Sequence, residues 1–300
     1  ISDIRLLGCD LWLPPASASP RFDAKPRIWQ ALAPITINHP SIPSGDANTD
    51  TLLISYGNGS GSLPKEIATP QPEKTQNAVQ AAGAFSTNRQ AIAAPVHRTD
   101  HCSLKLVSAA WPEPPSASPP GASPKTLVNL GNGLSIRSYA IRGGTLTACD
   151  HMQHDCSANP DGVSAEHRDT IWVPLARQVV SLRAEYGVDT DGDGVVDTYR
   201  QTSPTSACGW ANTLAIRLAI VTRSAPYHKK PTSFEPPTWA GSSSETPLPI
   251  DLSKDTDWRH YRYKTFETTI PIVNLISRGR PAGCRPRRSN HRPEAVLDET

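Results

Sequence analysis

"VVSLRAEYGVDTDGDGVVDTY", residues 179–199, decides how the chain is read. Its first half alternates. Val180, Leu182, Ala184 and Tyr186 fall on one side of an extended backbone, and Ser181, Arg183 and Glu185 on the other. A period of two is that of a half-buried β-strand. Its second half sets Asp189, Asp191, Asp193 and Asp197 close together, with Gly192 and Gly194 between them. Carboxylates so near one another repel in any compact loop unless something positive sits among them.

Against a calcium-loop template, Asp189, Asp191 and Asp193 occupy positions 1, 3 and 5, and Gly194 the sharp turn at 6. The Val195 carbonyl serves at 7, Val196 is the inward apolar residue, and Asp197 stands at 9. A tight loop points alternate oxygens inward, and hard Ca²⁺ takes six or more of them. Position 12 departs from the template, because Arg200 replaces the bidentate glutamate, and the flanks are β-prone rather than helical. The expectation is a stand-alone structural Ca²⁺ loop that clamps two strands. The alternative is an Asp/Gly turn that only resembles one.

Other stretches have the same β character. "DTLLISYG" (50–57) reads as a strand, and "LSIRSYAIRGGTLTAC" (134–149) as a hairpin turning at Gly143–Gly144. "TLAIRLAIVTRS" (213–224) puts Leu214, Ile216, Leu218 and Ile220 on one face, and "WRHYRYKTFETTIPI" (258–272) reads as a long strand ended by Pro271. No β–α alternation supports a doubly wound sheet or an α/β barrel. "SDIRLLG" (2–8) has Ile4 and Leu7 on one helical face behind Ser2, which predicts the end of a helix. The 30 prolines predict long irregular connections, among them the Pro/Ser/Ala stretch 111–125. Residues 277–300 are Arg-rich and unpatterned, and are expected to be disordered.

A formal net charge of +2 recruits neither nucleic acid nor an acidic surface globally. The arginines at 278, 280, 285, 287, 288 and 292 have no interleaved aromatic side chains for base stacking, so a solvated tail is the better reading than DNA binding. No apolar run is long enough for a membrane helix. The six cysteines show no C-x-x-C and no paired Cys/His spacing of zinc type. Cys149 and Cys156 close a short loop, which suits a disulfide in an oxidising compartment; buried free thiols are the alternative. Cys9, Cys102 and Cys208 supply at most one further bridge, expected between Cys9 and Cys102, unless Cys284 of the tail joins. His151, His154 and Asp155 inside the short loop read as solvated polar groups rather than a metal pair. No G-x-S-x-G, H-E-x-x-H or P-loop occurs, so an enzyme is not expected.

"RDTIWVPLARQVVSLRAEYGVDTDGDGVVDTY", "WANTLAIRLAIVTRS" and "WRHYRYKTFETTIPIVNLI" occur in this order. Together they resemble the second half of PilW-type minor pilins of type IV pili. "YAIRGGTLTACDHMQHDCSAN", "DHCSLKLVSA" and the opening "SDIRLLGC" fit the same pattern. The resemblance implies an α+β, type IV pilin-like fold, in which the end of a long N-terminal helix packs on a mainly antiparallel sheet with long Pro/Ser-rich loops. It implies three parts: a helix end at 1–10, one globular domain at 11–276 and a tail at 277–300. Ile4 and Leu7 would make the helix–sheet contact, and the loops 145–160 and 189–197 would face partners. The implied role is structural. The protein would prime filament assembly from the inner membrane and periplasm, anchored by an apolar helix upstream of Ile1. It would then sit at the surface filament tip with other minor pilins, the major pilin and a PilY-type tip adhesin. The competing reading is a secreted calcium-stabilised adhesive module unrelated to pili.

Overall fold

A computed structural model describes residues 7–13, 27–29, 32–58, 67–68, 90–96, 103–108, 126–158, 164–241, 246–273 and 284. In chain order the strands are β1 Asp10–Leu13, β2 Arg27–Trp29, β3 Ile35–Ile37, β4 Leu52–Asn58, β5 Ile67–Ala68, β6 Gln90–Val96, β7 Ser103–Ser108 and β8 Thr126–Arg142. There follow β9 Thr145–Asp150, β10 Val173–Arg177, β11 Val179–Val188, β12 Thr198–Arg200, β13 Thr213–Arg223, β14 Thr238–Trp239, β15 Leu248–Pro249 and β16 Tyr263–Pro271. Two short helices, α1 Ala165–Ile171 and α2 Ala207–Ala211, complete the described set.

The expected α+β architecture is not what forms. Among the described residues no long helix packs on a sheet, and the fold is mainly antiparallel β. Leu7 and Gly8 form a turn, and Asp10 already begins β1. Gly8 has φ of +86°, a left-handed value through which a right-handed helix does not continue, and residues 1–6 lie outside the described residues. Leu7 is nevertheless buried, in a cluster with Ile37, Leu52, Ile141 and Trp210. Ile4 lies outside the described residues, as do the Pro/Ser/Ala stretch and all of 277–300 except Cys284.

Two sheets make the core. The larger runs β10-β9-β8-β6-β7-β1-β2, with β4 joining β8 and β3; the smaller runs β12-β11-β13-β16. The β8–β9 hairpin turns at Gly143 and Gly144, whose φ values of +56° and +67° suit the tight turn that matches strand twist. Asp46 locks it, its two carboxylate oxygens accepting the Gly143 and Gly144 amides at 2.8 Å each. The long strand expected at 258–272 is shorter. Trp258–His260 is a turn of 3₁₀ helix, and pairing with β13 begins at Tyr263.

The strand β11 is buried on both faces, not half-buried. Val179, Leu182, Ala184, Tyr186 and Val188 pack against Ile37, Leu52 and Ile141 of the larger sheet. Val180 packs the other way, with Ala219, Val221, Trp239 and Ile250. A register shift between Val179 and Ser181 explains why Val180 leaves the face of Leu182: a bulge adds a residue and reverses the alternation. Trp210 of α2 meets Tyr186 edge-on at 5.5 Å, a pairing worth about 0.5–1.5 kcal/mol beyond area burial. Burial pushes the Tyr186 hydroxyl pKa up, opposed by its bonds with Ser203 and the Ile37 amide.

Between Leu182 and Ala184 the strand β12 does not reach, and Asp50 takes its place. The Asp50 amide donates to the Leu182 carbonyl at 2.8 Å, and its Oδ2 accepts the Ala184 amide at 3.0 Å. Gln201 donates to the same Oδ2 and to the Ala184 carbonyl, while Asn38 donates to Oδ1. Arg183 supplies the countercharge at 3.4 Å.

Cys149 and Cys156 are bonded, with Cα atoms 5.8 Å apart. Cys9 is also disulfide-bonded, and its expected partner Cys102 lies outside the described residues. Cys284 does join a bridge, the case left open by the cysteine count: Cys208 of α2 bonds it across 76 positions, with Cα atoms 5.0 Å apart.

Asp50→Ala is expected to lower stability by about 3 kcal/mol, because several buried donors lose one acceptor together. A shift in the urea midpoint equivalent to less than about 1 kcal/mol would contradict this account. Cys284→Ser should cost roughly 4 kcal/mol, the chain-entropy value for so long a loop. Thermal unfolding of that variant against Cys149→Ser/Cys156→Ser, which opens a much shorter loop, checks the ordering.

Candidate functional site

The acidic loop leaves β11 at Val188 and returns through β12. Two backbone bonds close it: the Asp189 amide to the Asn212 carbonyl and the Asp197 amide to the Val188 carbonyl. Val196 folds back over the strand, and its methyls stand 3.0–3.1 Å from where a Cβ at Gly187 would be, so glycine permits the approach.

Each carboxylate organises part of the loop. Asp189, fully buried, accepts the Gly192 amide on Oδ1 and the Gly194 amide on Oδ2, both at 2.7 Å. Asp191 accepts the Asp193 amide, and Asp193 accepts the Val195 amide. Asp197 accepts both the amide and the hydroxyl of Thr190, at 2.6 and 2.8 Å. Gly192 and Gly194 supply the positive φ values, +94° and +92°, that such successive turns need.

Carboxylate oxygens of Asp189, Asp191 and Asp197 lie within 4.8 Å of one another. Asp193 is not in that group, although the template places it at position 5. Val195 sends its side chain outward, 62% exposed. The donor set fits a hard divalent cation in kind, three anionic oxygens on one short loop. What the loop demonstrably does is answer its own charge with backbone N–H groups.

The second loop, 150–156, is drawn in by the Cys149–Cys156 bond. Asp150 accepts the Met152 amide and lies 3.9 Å from Arg137. Here the reading of two solvated histidines fails in part. His151 is buried, its Nε2 hydrogen-bonded with Ser138 on the neighbouring β8, whereas His154 is half-buried. The neighbour that covers His151 comes from across the hairpin, so local polarity did not reveal it.

These features define a class: a disulfide-braced β domain whose sheets carry ordered polar loops outward. Residues 157–274 match the family model PilW, Type IV Pilus-assembly protein W. The match supports a PilW-type protein and involvement in type IV pilus assembly. It begins just after the short disulfide loop and runs through α1, β10 and all four strands of the smaller sheet, less than half of the 300 residues. No curated protein and no solved structure matches the chain. Among the described residues no helix is long and apolar enough to cross a membrane.

Asp197→Ala should release the Thr190 amide. Its hydrogen exchange is expected to quicken at least tenfold, with a stability loss of about 1 kcal/mol. Unchanged protection at Thr190 would show that the loop is held by something else.

Proposed function

We propose that this PilW-type chain acts as a structural, non-catalytic minor pilin. It helps prime filament assembly and sits in the tip complex with other minor pilins, the major pilin and a large tip adhesin. The observation that carries this reading is the family match over 157–274, which takes in the whole smaller sheet. The disulfides Cys149–Cys156 and Cys208–Cys284 support folding in the periplasm and exposure at the cell surface, because oxidising compartments preserve such bonds. The loop at 189–197 offers its exposed, internally ordered residues 190–195 for docking, and the loop at 150–156 offers Gln153, while its Met152 and Cys156 join the core.

In the source bacterium, deleting the coding sequence should reduce surface filaments severely, and restoring it should recover them. Antibody against the folded domain should label one end of each filament. Normal filament numbers in the deletion strain would overturn the assembly role, and label spread along the shaft would overturn the tip position.

Calcium belongs to the same proposal as a structural ion of the acidic loop. Asp189, Asp191 and Asp197 would hold it, and it would neutralise their charge and tie β11 to β12. Millimolar calcium should raise the melting temperature of the wild-type chain. Asp191→Ala should abolish the rise and Asp193→Ala should retain most of it, because only Asp191 belongs to the converging group. No rise in the wild type ends the calcium reading without touching the pilus one.

A further inference from the structure

A polar cavity of about 530 Å³ opens where the β8–β9 turn, α1 and β10 meet. Four arginines line it, Arg142, Arg168, Arg177 and Arg223, against two aspartates, Asp46 and Asp169. They come from four different elements, so the concentration of positive charge is a product of the fold.

Two of the arginines are committed. Arg142 lies over the Trp172 ring at 4.4 Å and donates to the carbonyls of Pro43 and Ser44. Arg223 donates to Gln178 and to Asp255, the latter at 2.7 Å. Asp46 is also committed, its carboxylate being used by the Gly143 and Gly144 amides. Arg168 and Arg177 differ: no carboxylate of the described residues lies within ion-pair distance of either. Arg168 is half-buried and Arg177 exposed.

A bulge aims the site. β10 pairs Pro174 with Thr147 and Arg177 with Thr145, and the register shifts between Pro174 and Ala176. Without the extra residue, positions 174 and 177 would point to opposite faces of the sheet. With it, Pro174 and Arg177 both line the cavity beside Thr145 and Thr147. The same strand ends the larger sheet, and among the described residues its outer edge pairs with nothing. All five residues of β10 are exposed, Val173 at 49% and Leu175 at 54%.

We propose that this cavity and the β10 edge form a docking site for an extended, acidic peptide segment of a partner protein. Carboxylates of the segment enter the cavity and pair with Arg168 and Arg177, whose planar forks suit bidentate contact. The backbone of the segment pairs with the open edge, a recognised mode of strand addition. A peptide fits better than a polyphosphate, because Asp46 and Asp169 would repel densely packed phosphates but can be spaced between single carboxylates. The exposed Val173 and Leu175 offer apolar contact that a bare polyanion would not use. The inference does not rest on the tip-complex reading.

The test is fluorescence anisotropy of the 300-residue chain with a labelled peptide that alternates glutamate with valine and threonine. Saturable binding that weakens with salt is expected, and a lysine-for-glutamate peptide should not bind. Arg168→Ala/Arg177→Ala should weaken binding at least tenfold, and Arg200→Ala, on β12 at the other end of β11, should leave it unchanged. Should the double variant fail to fold, Arg177→Glu on the exposed strand should produce the same loss. Failure of the glutamate peptide to bind, or equal binding by the arginine variants, overturns the proposal. So does arginine-dependent binding of inorganic polyphosphate without binding of the peptide, which would make the cavity a phosphate site.

Discussion

One carboxylate joins the two sheets. Asp50 precedes β4 of the larger sheet, yet its amide and side chain complete the backbone edge of β11 in the smaller. An open edge at Leu182–Ala184 would leave buried peptide groups without partners, a cost the interior does not tolerate. Asp50 removes that cost and fixes the distance between the sheets. Asn38 and Gln201 converge on it from flanking loops, and Arg183 balances its charge. The apolar contacts of Leu182, Ala184 and Tyr186 with Ile37, Leu52 and Ile141 become possible only at that spacing.

Around this clamp the central strands β11 and β13 of the smaller sheet are covered on both faces, while the edge strand β16 is largely exposed. One face lies on the larger sheet, and the other is covered by Trp239 and Ile250 beside the β14–β15 pair. Charge is retained inside the sheet where it is answered. Glu185 is buried and lies 3.9 Å from Arg217, whose guanidinium sits over the Tyr199 ring and donates to the Gly241 carbonyl. With this sheet held rigidly, the polar loops at its ends can be ordered by their own short-range bonds. That division places shape in the sheets and contact chemistry in the loops and edges.

Local chemistry was readable from local sequence. The turn at Gly143–Gly144, the Asp/Gly loop at 189–197 and the Cys149–Cys156 closure each involve residues within a few positions, so spacing alone carries the geometry. Long-range chemistry was not. Cys208 and Cys284 are far apart in the chain, and nothing near Cys284 announces its partner. The cavity arginines belong to four segments that meet only after the sheets pack. Asp193 matches the template by count, but the loop turns its carboxylate to the Val195 amide instead of toward Asp189 and Asp191.

The sequence by itself determined that the chain is built of strands with polar, proline-rich connections, and where its shortest loops close, because period and spacing act through neighbouring bonds. It also held the ordered motifs of the PilW pattern. Only the tertiary structure decided which faces are buried. A single bulge at Val179–Ser181 turned Val180 away from the face its alternation predicted, and another at Pro174–Ala176 turned Arg177 into the cavity. Side-chain direction in a strand depends on every residue of register before it, and register is settled by the partner strand.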